Sequence, residues 1–415
     1  MRPTGRLSVV DEIFLRTHRG LGTPIALQGL WRTAERIDPA LLHEVHAVLR
    51  TGPLGRRVVR PRVPGARRSW QPNTRAYPLV FTDQPLSTAA LMAWADAQGA
   101  DLDPEFGPGW RLAATALDDG GSLVSLTCSH SLADGRALAL AVDDALGGGS
   151  LTASSSAVFE SDWADARSQW SIVLRGTARA LRRGIPDQPH QAMGREAVPA
   201  RSLTHGAILQ CAIADWDRAA AAQNGTANSL FIALIANMLW ASGFQRETID
   251  ASLPVDTRDE PRVDNDLSMT DITIDRTDTP STIRAKSRAA YERRMSSPGG
   301  MPEQLLQVIP DRWAYALSKG AGERDILCSN IGTLPDTLRT LGPHRCLGVA
   351  ARAIHPGLTA ARLPRTRLSG YLCRIGDDYI LSLVSLDPSA IESSTALADL
   401  AQKAMLTAGL PARTW

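Results

Sequence analysis

One hexapeptide constrains the fold of this 415-residue chain more than any other feature, the segment His130-Ser131-Leu132-Ala133-Asp134-Gly135. It follows an apolar run at 122–128 that favours a strand, and it precedes an alanine- and leucine-rich run at 136–142 that favours a helix. Asp134 lies just before the helix-like run, and aspartate is one of the residues preferred at the N-cap of a helix. The pattern therefore predicts a histidine in a turn between a strand and a helix, where a rigid scaffold can present an imidazole to a ligand.

The remaining chain contains helix-like and strand-like segments without a regular strand–helix alternation. Asp118-Asp119-Gly120-Gly121 and Ile375-Gly376-Asp377-Asp378 are typical of β-hairpin turns, so much of the strand pairing is local. This organisation predicts an α+β fold. The other predicted helices are at 36–50, 86–97, 158–183, from 215, 230–240, 281–296, 303–319 and 391–407. The predicted strands are at 56–60, 67–71, 110–116, 122–128, 207–214, 248–255, 266–275, 325–331, 346–354, 367–374 and 379–386.

A chain of this length exceeds the usual size of a single hydrophobic core, which favours two domains. The segment 184–200 contains three prolines and no hydrophobic periodicity, as is typical of a linker. We therefore predict an N-terminal lobe at 1–183 that carries the histidine, a linker at 184–200 and a C-terminal lobe at 201–415.

Composition excludes several classes of protein. The formal net charge of +2 argues against a dedicated nucleic-acid or membrane-surface binder. We find no apolar run of about 18 residues, the length that a membrane span needs, and no hydrophobic signal core near Met1. The five cysteines form no C-x-x-C pair, which fits a reducing compartment. We expect a cytoplasmic monomer without a membrane span.

Arginines are concentrated at 56–68, where six of them occur, and again near Arg179, Arg182 and Arg183. Such clusters attract phosphates or acidic partners, but they also occur on solvated hairpin surfaces. The sequence leaves both readings open.

The hexapeptide matches the pattern H-x-x-x-D-G. In this respect the chain resembles an acyltransferase superfamily that includes chloramphenicol acetyltransferase, nonribosomal peptide condensation domains and polyketide-associated acyltransferases. Three further segments resemble the superfamily: Leu7–Leu15, Leu253–Arg258 followed by Asn265, and Cys328–Pro335. Two features differ, because Ser129 replaces the first of the two histidines usual in condensation domains, and the D-F-G-W-G sequence of the plant branch is absent.

The resemblance implies two lobes of similar size in a V, with a substrate tunnel between them and His130 midway along it. It implies that His130 is the catalytic general base, while Asp134 pairs with Arg258 of the other lobe and shapes the loop. The amide of Gly135 would polarise the thioester carbonyl. Ser129, Ser329 and Asn330 are candidates for oxyanion contacts or tunnel lining, although Ser329 and Asn330 could equally just end a strand.

We find no G-x-S-x-G nucleophile turn, no phosphate-binding glycine loop and no metal-binding histidine motif in the sequence. Direct attack of an acceptor on a thioester, assisted by neutral imidazole, is then the simplest mechanism. We predict an acyltransferase with no metal and no tightly bound cofactor, whose donor is carried on coenzyme A or on carrier-protein phosphopantetheine.

The expected acceptor is a small hydroxyl or amine compound in natural-product or lipid biosynthesis, and the expected partner is an acyl or peptidyl carrier protein, not a nucleic acid. Two alternatives stay open, a free-standing peptide condensation enzyme and a non-catalytic, condensation-like recruitment module.

Overall fold

The structure is a computed structural model that describes residues 5–149, 161–183, 202–292, 302–320 and 322–415. Within these ranges it contains two large mixed sheets, one two-stranded sheet and the helices that cover them. The mixed α+β class is therefore as predicted. The predicted linker at 184–200 lies outside the described residues, and the V shape with its tunnel stays a prediction.

The first large sheet is built mainly from the N-terminal half of the chain. Its strand order is β11 (Thr340–Leu341), β12 (His344–Ile354), β1 (Ala26–Thr33), β6 (Ser122–Ser129), β5 (Trp110–Leu117) and β4 (Val80–Leu86). The central strand β6 pairs antiparallel with both β1 and β5. All eight residues of β6 are buried, as expected for a strand covered on both faces.

The second large sheet is built from the C-terminal half. Its order is β15 (Ala412–Thr414), β7 (His205–Ala212), β14 (Asp378–Ser385), β13 (Leu368–Ile375), β10 (Ile326–Thr333), β8 (Thr248–Asp256) and β9 (Leu267–Asp275). The predicted hairpin between β13 and β14 is present. The two-stranded sheet pairs β2 (Arg56–Val59) with β3 (Ser69–Pro72), which confirms the predicted arginine-rich hairpin.

Helices cover these sheets because each carries an apolar face that must be buried. The helices of the N-terminal half are α1 (Val9–Thr17), α2 (Pro39–Thr51), α3 (Leu91–Ala97), α4 (Gly135–Leu146) and α5 (Asp162–Arg183). Those of the C-terminal half are α6 (Ile213–Ala222), α7 (Ala227–Ala241), α8 (Pro280–Glu292), α9 (Leu305–Val308), α10 (Asp311–Ser318) and α11 (Ser394–Thr407). None of the described helices is both long and apolar enough to cross a membrane.

Strand β12 joins the two halves of the chain. It comes from the C-terminal half but pairs along its length with β1 in the first sheet, and it also packs against β13 and β14. Arg352 of β12 is 2% exposed; it donates to Gln28 Oε1 at 2.9 Å and to Asp96 Oδ1 at 2.6 Å. Strand β12 comes from the segment 201–415 but belongs to a sheet whose other long strands come from the segment 1–183.

Three local predictions differ from the structure. The segment 86–97 contains the end of β4, a short 3-10 turn and only a two-turn helix, α3. The helix predicted at 303–319 is divided into α9 and α10 at Pro310, because proline lacks the amide that a helix interior needs. Helix α1 and strand β1 were not predicted.

Candidate active site

His130 occupies the turn predicted from the sequence. Strand β6 ends at Ser129, whose amide donates to Gly109 O at 2.8 Å, and the chain then turns so that Leu132 N donates to Ser129 O at 2.9 Å. Helix α4 begins after Asp134, whose Oδ1 accepts from Ala137 N at 2.9 Å. The segment 130–134, called the histidine loop below, therefore links the centre of the first sheet to the N-terminus of α4.

The histidine loop is held through its main-chain carbonyls. Asn265, which lies between β8 and β9, donates from Nδ2 to His130 O at 2.7 Å and to Ser131 O at 3.1 Å. Arg56 of β2 donates to Leu132 O at 2.6 Å. Three consecutive carbonyls thus have donors from elements far apart in sequence, which leaves the loop little freedom to move.

Asp134 makes an ion pair with Arg258, the pair that the resemblance to the superfamily implies. Arg258 Nη2 lies 2.6 Å from Asp134 Oδ2, and the two side chains are only 5% and 7% exposed. Asp266 N also donates to Asp134 Oδ2, at 3.1 Å. Both carboxylate oxygens are therefore occupied by contacts that fix the loop, and Asp134 is not arranged to relay a proton from His130.

Further acceptors surround the guanidinium of Arg258. Its Nη1 donates to Asp256 Oδ1 at 2.8 Å, and its Nη2 also donates to Asp264 O at 2.6 Å. Burial acts to lower the pKa of Arg258, but Asp134 together with Asp256 and Asp264 outweighs it and the pKa is raised. Arg258 is consequently a buried cation surrounded by acceptors.

The imidazole of His130 lies against an aromatic ring. Phe14 of α1 stacks on it with ring centroids 3.6 Å apart and an interplanar angle of 9°. Burial lowers the pKa of His130, while nearby hydrogen-bonding groups and Asp134 act in the opposite direction. His130 Nδ1 is buried and makes no hydrogen bond of normal geometry within the described part of the chain. The ring is therefore neutral at neutral pH, the form that accepts a proton.

Helix α1 supplies two more contacts to the site. Asp11 Oδ1 accepts from Asn265 Nδ2 at 2.8 Å, and His18, the C-cap of α1, lies with Nε2 2.6 Å from Ser129 Oγ. Sequence reasoning missed Asp11, Phe14 and His18 as site residues. Two signals were present, because Asp11 and Phe14 lie in the segment Leu7–Leu15 that resembles the superfamily and because Ser8 and Asp11 form a capping box, but neither assigned α1 to the histidine loop.

Gly135 allows two segments to approach closely. A Cβ built at Gly135 would lie 3.2 Å from Ile331 Cδ1, a spacing tighter than most carbon contacts. Ile331 belongs to β10, the strand that also carries Ser329 and Asn330. The sequence-predicted segment 328–335 is thus brought against the start of α4.

The three polar candidates differ in their environments. Ser129 is fully buried, and its hydroxyl contacts His18 Nε2 and also Ser131 Oγ, at 2.8 Å. Its expected role in oxyanion contact or tunnel lining stays a prediction. Asn330 is exposed and donates to Asn228 Oδ1 at 3.0 Å. Ser329 is half-buried.

Several of the six arginines at 56–68 have partners within the protein, although Arg57, Arg60 and Arg62 are exposed. Arg67 donates from both Nε and Nη2 to Oδ1 of buried Asp165, and Arg68 forms an ion pair with Glu12 of α1. Arg60 pairs with Glu105. Since Arg56 holds the histidine loop, most of the positive charge in this segment already has a partner.

The described residues near the histidine loop offer neither an activated cysteine nor a cluster of metal ligands. Burial raises the pKa of Cys128 to about 12, so this neighbour of the histidine loop stays a neutral thiol, which is a poor nucleophile. The five cysteines are all free. Among the described residues no group of three or more His, Cys, Asp or Glu side chains is placed to bind a metal ion.

Comparison with solved structures identifies the fold. The first condensation domain of the CDA synthetase aligns over 97% of this chain and 96% of its own, with a TM-score of 0.60 and 14% identity. The wax ester synthase/diacylglycerol acyltransferase from Marinobacter aquaeolei VT8 aligns over 98% and 100%, with a TM-score of 0.59 and 15% identity. The chain has the condensation-domain fold.

Other similar structures agree with this result. The condensation domain of the Monacolin K polyketide synthase MokA aligns over 98% of this chain and 97% of its own, with a TM-score of 0.58 and 12% identity. No protein-family model matches the sequence, and no curated protein matches it. The structural neighbours therefore agree with the superfamily that the sequence resembles, and at these identities the similarity concerns the fold.

The ion pair between Asp134 and Arg258 can be tested by a double-mutant cycle. Asp134→Ala leaves a buried cation without its main partner, so we expect a loss of about 3–5 kcal/mol in unfolding free energy. Arg258→Ala should also destabilise the protein, and the double variant should lose less than the sum of the two. Urea unfolding of the four proteins measures this coupling, and full additivity would show that the two side chains do not stabilise each other.

Proposed function

We propose that this protein is an acyltransferase that moves an acyl group from a thioester to a hydroxyl or amine acceptor, with His130 as the general base. The observation that carries the proposal is the placement and state of His130: it lies in the turn between β6 and α4, burial favours its neutral form, and Nδ1 makes no hydrogen bond of normal geometry within the described residues. The fold shared with condensation domains and a wax ester synthase/diacylglycerol acyltransferase supports a transferase.

In the proposed reaction the acceptor attacks the thioester carbonyl directly. The imidazole of His130 takes the proton of the acceptor hydroxyl or amine as the new C–O or C–N bond forms. The tetrahedral intermediate then breaks its C–S bond, and the imidazolium returns the proton to the departing thiolate. Proton and electron pair are thereby balanced without an acyl-enzyme, and the imidazole begins and ends the cycle neutral.

The developing negative charge on the carbonyl oxygen needs donors near the histidine loop. We assign this role to the amide of Gly135, with Ser329 and Asn330 of β10 as further candidates. The supporting observation is the close approach of Gly135 to Ile331, which brings the start of α4 against the strand that carries both polar side chains.

The donor thioester would be carried on a phosphopantetheine arm, either of a carrier protein or of coenzyme A. Several similar structures are domains of nonribosomal peptide synthetases, which supports a carrier protein. Formation of an ester in lipid or natural-product biosynthesis and formation of an amide between carrier-bound substrates both fit this site. An assay that shows whether a hydroxyl compound or a carrier-bound amine is consumed would distinguish ester formation from amide formation.

Replacement of His130 tests the mechanism. His130→Ala removes the proposed base without removing a hydrogen bond of Nδ1, so the variant should fold and should lose about 10²–10⁴ in transfer rate. Release of free thiol from an acyl donor in the presence of candidate acceptors measures the rate, and thermal unfolding checks the fold. Turnover near that of the natural protein would exclude His130 as the base. A protein that never transfers an acyl group but captures a partner would instead support the recruitment module.

The donor can be identified through the exposed arginines of α5. Arg167, Arg175, Arg179 and Arg182 are exposed and make no ion pair among the described residues. A folded, acidic carrier protein would be steered by this surface through its association rate. We expect Arg179→Glu/Arg182→Glu to lower kcat/KM for an acyl carrier protein but not for the same acyl group on coenzyme A.

A matched control is Arg50→Glu, which changes another exposed arginine, in the last turn of α2. This variant should leave both donors unaffected. Equal or higher kcat/KM with coenzyme A in the unmodified protein would contradict a preference for a carrier protein.

A further inference from the structure

One face of α1 lies against the histidine loop. Asp11, Phe14 and His18 are spaced three and four residues apart, which places them on the same side of the helix. Asp11 contacts Asn265, Phe14 stacks on His130, and His18 contacts Ser129. The N-terminal helix therefore contacts the histidine loop at His130, and it also contacts Asn265 and Ser129, which adjoin the loop.

We propose that Phe14 is a positioning residue of the acyl-transfer site: its ring fixes the plane of the His130 imidazole and keeps water from one face of it. This inference rests on the proposed role of His130 as the general base. It goes beyond that role because it gives a function to a helix that does not carry the H-x-x-x-D-G motif.

The stacking geometry is the first argument. A centroid distance of 3.6 Å with an interplanar angle of 9° means that the two rings lie nearly parallel and in contact. The outer torsion of a histidine side chain is broad, so something other than its intrinsic preference must set the plane of the ring. His130 Nδ1 makes no hydrogen bond of normal geometry within the described residues, so the stacked Phe14 ring is a substantial constraint on the plane of the imidazole.

The anchoring of α1 is the second argument, because a loosely held ring could not position another. Ser8 and Asp11 close a capping box at the N-terminus of α1. Glu12, 1% exposed, pairs with Arg68, and Arg16 Nε lies 3.3 Å from Asp311 Oδ1 of α10. Charged contacts thus fix the helix on its other sides, and Phe14 is held where it meets His130.

The charges around the imidazole are the third consideration. Asp134 lies in the loop itself, Asp11 on α1, Arg56 on β2, and Arg258 in the segment between β8 and β9. A substitution of Phe14 changes none of these charges. A change in the titration of His130 after such a substitution would therefore report altered hydration and ring position.

The experiment compares three variants of the full chain. Phe14→Leu keeps an apolar side chain but removes the ring, Phe14→Tyr keeps the ring, and Ile13→Ala is a control at an exposed neighbour on the same helix. For Phe14→Leu we expect kcat to fall by about 10- to 100-fold, since small misplacements of a catalytic group cost rates of this order. KM should change little, because the acceptor and donor contacts remain.

The pH dependence supplies a readout that a purely structural role would not move. Water that reaches the freed face of the imidazole relieves its desolvation, so the pKa of His130 should rise in Phe14→Leu. The acid limb of the kcat/KM profile should then shift to higher pH. Phe14→Tyr should restore most of the rate and the original profile, and Ile13→Ala should change neither.

An NMR titration of the His130 ring in the same variants is independent of catalysis. A raised pKa in Phe14→Leu supports the contact even if no acyl transfer is found, in which case the proposed function and not the stacking would be wrong. An unchanged titration together with unchanged kcat in a folded Phe14→Leu protein would overturn the inference. So would loss of activity in Phe14→Tyr equal to that in Phe14→Leu.

Discussion

The position of His130 depends on a buried pair of opposite charges that joins the two halves of the chain. Asp134 ends the histidine loop and caps α4, and Arg258 lies between two strands of the other sheet. Burying such charges is favourable only when both are well paired and hydrogen-bonded, because each loses its contact with water. Here the carboxylate accepts from Arg258, Asp266 N and Ala137 N, so its acceptor sites are filled. The pair therefore fixes the relative position of α4 and the β8–β9 connection.

An aspartate near a histidine can stabilise the protonated imidazole, or it can hold the surrounding loop in place. A carboxylate aimed at the imidazole would stabilise its protonated form and raise its pKa. Asp134 is instead bound to Arg258, and burial is the strongest influence on His130, whose pKa is lowered. The loop thus presents an imidazole that is unprotonated near neutral pH, the form that the proposed removal of a proton from a hydroxyl or amine requires.

Much of this arrangement could be predicted from the sequence where the signals are local. The apolar run before His130 and the helix after Gly135 predicted the strand–turn–helix unit that the structure contains. The ion pair between Asp134 and Arg258 was expected from the resemblance to a known superfamily and not from local pattern, because the two residues are distant in sequence. Helix α1 carried a capping-box signal at Ser8 that we did not use.

Other features had no sequence signal. The contact of Phe14 with His130 arises only when the first helix packs against the histidine loop, and periodicity within either segment does not encode it. Arg56 occurs in an arginine-rich hairpin that suggested a solvent-facing surface, yet it stacks on Trp70 and donates to the histidine loop. Strand β12 adds to the sheet of the opposite half, a long-range pairing that strand propensity alone does not specify.

The most direct test of the central claim, that the second half of the chain holds the histidine loop in its active position, is the kcat of Asn265→Leu. Leucine has nearly the same size as asparagine but cannot donate to His130 O, Ser131 O and Asp11 Oδ1. Because a loop displaced by about 1 Å misaligns the base, we expect the folded variant to lose about 10²-fold in kcat. A folded Asn265→Leu protein with the kcat of the natural chain would contradict the claim.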